Sequence, residues 1–185
     1  MKKVVVSEFV TLDGVVEDPS WTFQFKPSED YLKVKLDELL TSDALLLGRV
    51  TYEGFAAAWP SMQKDPTGYA DRMNSLPKYV VSTTLKEAKW NNSTVIKQSV
   101  NEEVSRLKQE QGQGNILIFG SCDLVNGLVR YNLVDELNLW IYPIVLGKGK
   151  RLFKEGTSMN LKLIEAKQFA SGVALLRYEL LKTGS

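Results

Sequence analysis

Three short stretches of this chain carry residue types that hold anionic oxygen. Leu45-Leu46-Leu47-Gly48-Arg49-Val50-Thr51-Tyr52 puts a glycine, a guanidinium and a hydroxyl at the end of an apolar run. Gly48 would let a ligand approach the backbone, Arg49 could fork onto a phosphate, and Thr51 could bond another oxygen. Ile118-Phe119-Gly120-Ser121-Cys122-Asp123-Leu124 repeats the arrangement, with Gly120, Ser121 and the amides opening a helix able to cradle a pyrophosphate. Val80-Val81-Ser82-Thr83-Thr84 ends a third apolar run in hydroxyl groups suited to the ribose phosphate of an adenine nucleotide. Each stretch has a plain structural alternative: a tight turn with a solvated cation, a favourable first-turn charge at Asp123, and a hydroxyl-rich turn. Three such strand ends in one small domain point to a dinucleotide.

What the chain lacks narrows the chemistry. It contains no histidine, which removes Ser-His-Asp and Cys-His nucleophiles, His-ligated metals and imidazole acid-base catalysis. Cys122 is the only cysteine, so no internal disulfide or four-thiolate zinc site can form, and a reducing compartment, the cytoplasm, is expected. Cys122 reads as a small residue at a helix start rather than as a nucleophile. A formal net charge of +1 argues against an extended nucleic-acid footprint. The start Met1-Lys2-Lys3 is followed by Glu8 and Asp13 rather than a long apolar segment, and Leu137 to Leu146 is too short to span a bilayer, so no membrane association is expected.

Stepping along the 185 residues, Val4 to Val10 has valines on both faces, the pattern of a strand buried in a covered sheet. Leu32, Leu36, Leu39 and Leu40 fall on one helical face, with Ser28 as a cap. A strand over Ala44 to Leu47 runs into a helix over Thr51 to Ala58, which Trp59-Pro60 stops, and a short helix over Gly68 to Asn74 leads to strand Tyr79 to Ser82. Thr94 to Lys97 is an edge strand, and Ser99 with Glu102 has capping-box spacing for the next helix. Strand Ile116 to Phe119 feeds a helix packed through Leu124, Val125, Leu128 and Val129. Leu137 to Val145, Leu161 to Phe169 and Val173 to Leu181 read as strands alone. The order implies a single α/β domain over residues 1–181, with a mixed, mostly parallel sheet and an antiparallel edge, and a frayed tail over 182–185.

In combination and order, the motifs resemble the dihydrofolate-reductase-like family that includes the reductase domain of the riboflavin-biosynthesis protein RibD. The matching segments are Thr11-Leu12-Asp13-Gly14, Leu47 to Tyr52, Pro77 to Ser82, Ile118 to Ser121, Val134-Asp135-Glu136-Leu137, and Pro143 to Gly147 with Gly149. The resemblance implies a three-layer fold with about eight strands and helices on both faces. It also implies NADPH as cofactor, with Gly48, Arg49, Thr51 and Tyr52 near its phosphates and Ser82, Thr83 and Thr84 near the adenosine phosphate. Gly120, Ser121, Cys122, Asp123 and Leu124 would surround the pyrophosphate, and Phe9 and Val16 would border the nicotinamide. The substrate would be a small pterin-, pyrimidine- or flavin-precursor-like molecule. Folate-reducing relatives carry an inward-facing carboxylate on the first helix; Glu29 and Asp30, the rough equivalents, have a simpler role in the helix's first turn.

Within that frame Asp13 could exchange a proton near the nicotinamide, or could simply serve a Leu-Asp-Gly turn. Trp21 and Trp59 could wall a flat heterocycle, or pack the core. A cofactor-binding or sensory module without turnover is the alternative to a reductase. A homodimer is expected because Leu137, Leu139 and Ile141 alternate with Trp140 and Tyr142, giving one strand two apolar faces to cover.

Overall fold

The structure, a computed structural model, describes residues 1–62 and 65–181. The tail expected over 182–185 lies outside the described residues. Eight strands form one sheet in the order β4-β3-β2-β5-β1-β6-β8-β7. They are β1 (Val4–Thr11), β2 (Ser42–Gly48), β3 (Lys78–Val81), β4 (Ser93–Ile96), β5 (Asn115–Ile118), β6 (Glu136–Tyr142), β7 (Asn160–Gln168) and β8 (Ala174–Leu181). Pairing is parallel from β4 through β6 and antiparallel for β6 with β8 and β8 with β7.

Alternation along the strands sorts the apolar side chains into two layers. Val5, Leu45, Leu47, Val80 and Leu117 meet Leu39, Tyr52 and Met73 from α1 (Glu29–Leu40), α2 (Arg49–Ala58) and α3 (Tyr69–Ser75). Val4, Val6, Leu46, Ile116 and Ile118 meet α4 (Val100–Gln109) and α5 (Cys122–Arg130) through Val104, Leu107, Val125 and Leu128. A third group, around Tyr31, Trp140, Tyr142 and Phe169, fills the α1 side of β6 and β8. Among the described residues no helix is long and apolar enough to cross a membrane.

Several expectations change. Leu32 and Leu40 of α1 are exposed, and the residues it buries are Tyr31, Lys35, Glu38 and Leu39. The charged pair is admissible there because Lys35 Nζ lies 2.7 Å from Glu38 Oε2 and both bond Ser7 Oγ. Ser28 makes no side-chain cap bond and instead donates to Asp30; Ser99 makes none either and sits at φ 52°. The strand expected to reach Val145 stops at Tyr142, before Pro143. The reason given for a homodimer also falls: Leu137, Leu139, Trp140 and Tyr142 are all buried within the chain, between α5 on one side and the aromatic group on the other. The outer strand β7 does expose apolar side chains, at Leu163 and Ile164.

The short strands at the β4 end depend on an interior cation. Lys78 is 1% exposed, and its Nζ donates to the carbonyls of Asn74, Leu76 and Asn91 at 2.8 to 3.0 Å while standing 4.2 Å from the Trp90 ring centre. Replacement by methionine keeps the volume and removes all three bonds. Lys78→Met is expected to lower unfolding stability by about 2 to 3 kcal/mol, measured by urea denaturation, whereas a change below about 0.5 kcal/mol would show that the carbonyls find other partners.

Candidate functional site

The adjacent strands β1 and β5 send their chains to opposite faces of the sheet, β1 into α1 and β5 into α5. A parallel sheet opens a crevice at the carboxyl ends of two such strands. Here β1 pairs with β5 only from Val4–Ile116 to Val6–Ile118, while its pairing with β6 continues to Thr11–Tyr142. The last half of β1 therefore borders the crevice, presenting Glu8 towards the α5 face and Phe9 towards the α1 face.

Beside the crevice, the ends of β3, β2 and β5 line up. Gly48 is in register with Val81, and its N–H donates to the Gly120 carbonyl at 3.0 Å. A Cβ on Gly48 would stand 2.5 Å from Ser121 Oγ and 2.9 Å from the Ser121 backbone nitrogen. Gly120 has φ +116°, a conformation that favours glycine, and a Cβ there would stand 2.8 Å from Thr51 Oγ1 and 3.3 Å from Glu8 Oε1. Gly48, Thr51, Gly120 and Ser121 thus meet in one place, although 69 or more residues separate the two motifs. The N-termini of α2 and α5 open onto it, with unpaired amides and the positive ends of their dipoles. Ser121 caps α5 by accepting from Leu124 N–H.

The other expected residues are distributed unevenly around this cradle. Arg49 is exposed at the first position of α2, with Nη1 2.8 Å from Glu53 Oε2. Thr83 and Thr84 are exposed beyond β3, whereas the buried Ser82 hydroxyl accepts from the N–H groups of Thr84 and Leu85. Tyr52 is 3% exposed and its hydroxyl accepts the Trp90 N–H, so its side chain belongs to the core. Asp123 pairs with Lys154 at 2.7 Å, and burial pushes the Cys122 thiol up. Phe9 and Val16 belong to different layers, Phe9 with the aromatic group and Val16 with the α5 side.

Asp13 sits in the turn after β1. Its carboxylate accepts from Thr11 Oγ1 at 2.6 Å and from the N–H groups of Leu146 and Gly147, tying the turn after β1 to the segment after β6. The Thr11 hydroxyl and the Gly147 N–H hold its pKa down to about 2, which keeps it ionised near neutral pH.

Two features escaped the sequence reading. On the α1 side, a run of ring contacts links the two tryptophans: Trp21 to Tyr142 at 5.3 Å, Tyr142 to Phe9 at 5.5 Å, Phe119 to Phe55 at 6.1 Å and Phe55 to Trp59 at 6.2 Å. Lys35 joins the halves, with Nζ 5.0 Å from the Phe9 centroid and 4.8 Å from that of Phe119. The inward carboxylate of α1 is Glu38, closed off by Lys35, Ser7 and Asn138, while Glu29 and Asp30 are exposed. On the α5 side stands Glu8, 8% exposed, whose Oε1 has no hydrogen-bond partner and whose pKa burial lifts to about 8. Its lone position in a run of valines was the available signal. Two cavities lie elsewhere: one of about 410 Å³ beside Asn74, Trp90 and Asn91 and one of about 150 Å³ beside Asn115, Glu136 and Arg177, both at the opposite, amino ends of the parallel strands.

Comparison with known proteins bears on the same features. The RibD C-terminal domain model matches residues 2–175. The uncharacterized protein YyaP of Bacillus subtilis is 30% identical over 181 residues, covering 96% of this chain and 94% of its own. Among solved structures, a protein of Shewanella sp. PV-4 ascribed to riboflavin biosynthesis superposes with TM-score 0.79 at 19% identity, over 97% of this chain and 99% of that one. Dihydrofolate reductase from Enterococcus faecalis, solved with NADP(H), superposes with TM-score 0.61 at 16% identity, over 97% of both chains. These two likenesses establish the fold. With its family match running through nearly every element of the sheet, the chain belongs to the RibD C-terminal domain family, a reductase family on the dihydrofolate-reductase-like fold.

Proposed function

We propose that the chain is an NADPH-dependent reductase of a small, flat heterocyclic or carbonyl/imine substrate. The observation that carries this is the convergence of Gly48, Thr51, Gly120 and Ser121 under two helix N-termini, directly beside the β1–β5 crevice. Glycine at both positions lets the two helix starts approach so closely that even a methyl group would collide with the facing residue, which sets their exposed amides side by side for one anionic ligand.

Four neighbouring strand ends give the ligand its length and direction. From β3 across β2 and β5 to β1 is about 14 Å at ordinary strand spacing. Thr83 and Thr84 stand at one end for the adenosine phosphate, Arg49 and the cradle lie between, and the crevice with Phe9 lies at the other for a flat ring. NADPH supplies the hydride when bound. The chain's residues supply position: main-chain amides hold the phosphates, Phe9 and Phe119 border the ring's place, and the aromatic run from Trp21 to Trp59 offers the substrate a dry wall. Asp13 serves this arrangement by fixing the turn after β1, and solvent delivers the proton. The single cysteine suits a reducing compartment such as the cytoplasm.

Titration calorimetry is expected to detect NADPH binding that weakens roughly tenfold in Arg49→Ala, through loss of one phosphate contact, and at least as much in Gly48→Ala, whose added methyl would collide with Ser121 and push the two helix starts apart. Unchanged affinity in both variants would mean that the phosphates lie elsewhere. NADPH oxidation, followed by loss of absorbance against a panel of pterin, pyrimidine and flavin-precursor acceptors, is expected for at least one of them; tight binding with no turnover across the panel would leave a binding module. Self-association belongs to the same reading, now through the outer strand β7 with Leu163 and Ile164, and a purely monomeric sedimentation profile at micromolar concentration would remove it.

A further inference from the structure

Glu8 is out of place for a structural residue. It lies on the central strand β1, 8% exposed, in a layer otherwise made of Val4, Val6 and Val10. A buried carboxyl group ordinarily finds a donor or a counter-ion, because leaving it unsatisfied costs stability. Here Oε1 has no hydrogen-bond partner, and the one cation that acts on Glu8, Lys35, is bonded to Glu38 and Ser7 instead. Glu8 Oε1 and Thr51 Oγ1 crowd the Gly120 backbone, 3.3 and 2.8 Å from where a Cβ would stand, at the floor of the phosphate cradle. An acidic residue beside two helix N-termini that receive an anionic ligand would repel that ligand if ionised.

We propose that Glu8 works as a neutral carboxylic acid at the floor of the cradle, donating a hydrogen bond to an oxygen of the dinucleotide seated over Gly120, so that cofactor is held only while Glu8 keeps its proton. The inference rests on the reading of the cradle as the NADPH site. Burial, which lifts the Glu8 pKa to about 8, keeps the acid protonated at neutral pH. The titratable groups that act on it from neighbouring elements are Lys35 of α1 and Cys122 of α5; Thr51 of α2 adds a neutral hydroxyl. The Lys35 ammonium, 2.7 Å from Glu38 and 3.1 Å from Ser7, is committed to those partners. The Cys122 thiol is itself pushed up by burial, so it titrates later than Glu8. A protonated acid in that position resembles the neutral carboxylic acids that some active sites keep for hydrogen-bond donation.

The test is NADPH affinity between pH 7 and 9.5 at fixed ionic strength, a window in which the adenosine phosphate does not change charge. For the unaltered chain the dissociation constant is expected to rise at least about tenfold across the window, as the acid ionises. Glu8→Gln, which keeps a donor and cannot ionise, is expected to bind within about threefold of the unaltered chain at pH 7 and to show a flat profile. Cys122→Ser is expected to keep the slope. A flat profile in the unaltered chain, an unchanged slope in Glu8→Gln, or a slope lost in Cys122→Ser would overturn the proposal. Absence of NADPH binding at pH 7 in the unaltered chain would instead defeat the cofactor site itself.

Thermal unfolding gives a readout that does not involve cofactor. A carboxyl whose folded pKa lies above its unfolded value contributes stability that is full below about 4.5 and lost as pH rises through about 8. Glu8→Gln escapes that loss. It is expected to melt at least about 4 °C above the unaltered chain at pH 8.5 and level with it at pH 4, and equal melting temperatures at both would show that Glu8 is not a buried neutral acid.

Discussion

The N–H of Gly48 and the carbonyl of Gly120 meet at 3.0 Å where β2 and β5 end, and this contact sets the spacing of everything around the cradle. It brings the start of α2 against the start of α5 so closely that Ser121 fills the place of a Gly48 side chain and Thr51 that of a Gly120 side chain. No larger residue at either position leaves the two helix starts so near each other. The sheet then supplies the second condition. Because β1 and β5 connect to opposite faces, their carboxyl ends part beside the same point, and the cradle for charge acquires a neighbouring slot for a ring.

The two faces of that slot differ in character. Towards α1 stands an aromatic run joined by Lys35, whose charge is balanced by Glu38 and whose surroundings are rings. Towards α5 stands Glu8, enclosed and with its Oε1 lacking a hydrogen-bond partner. Burying an unsatisfied carboxyl costs stability, and such costs concentrate where a site must meet a ligand. Asp13 is the contrasting case. Its donors are already present in the fold, so its carboxylate is satisfied, ionised and used as a tie between two turns.

Much of this was legible in the sequence, because strand-glycine-helix junctions and hydrophobic periodicity are local signals. The eight strands, the antiparallel end of the sheet and the paired junctions at Gly48 and Gly120 follow from them. What stayed hidden depends on tertiary pairing. The stripe of leucines on α1 suggested an apolar face, yet the helix turns Lys35 and Glu38 inward because Ser7 and Asn138 on β1 and β6 wait there with hydrogen bonds. The two apolar sides of β6 suggested a second subunit, but its neighbours within the chain already cover both. Tyr52 looked like part of the phosphate motif, and the helical turn carries its ring into the core instead.

The central claim is that two helix starts share one anionic ligand. Amide chemical-shift mapping on the labelled protein, titrated with NADPH, tests it most directly. The account predicts that the largest shifts fall on the amides of residues 48–51 and 120–124, with smaller ones along the second half of β1. Shifts gathered around Asn74, Trp90 and Asn91, beside the cavity of about 410 Å³, would contradict it, as would a spectrum unchanged at saturating cofactor.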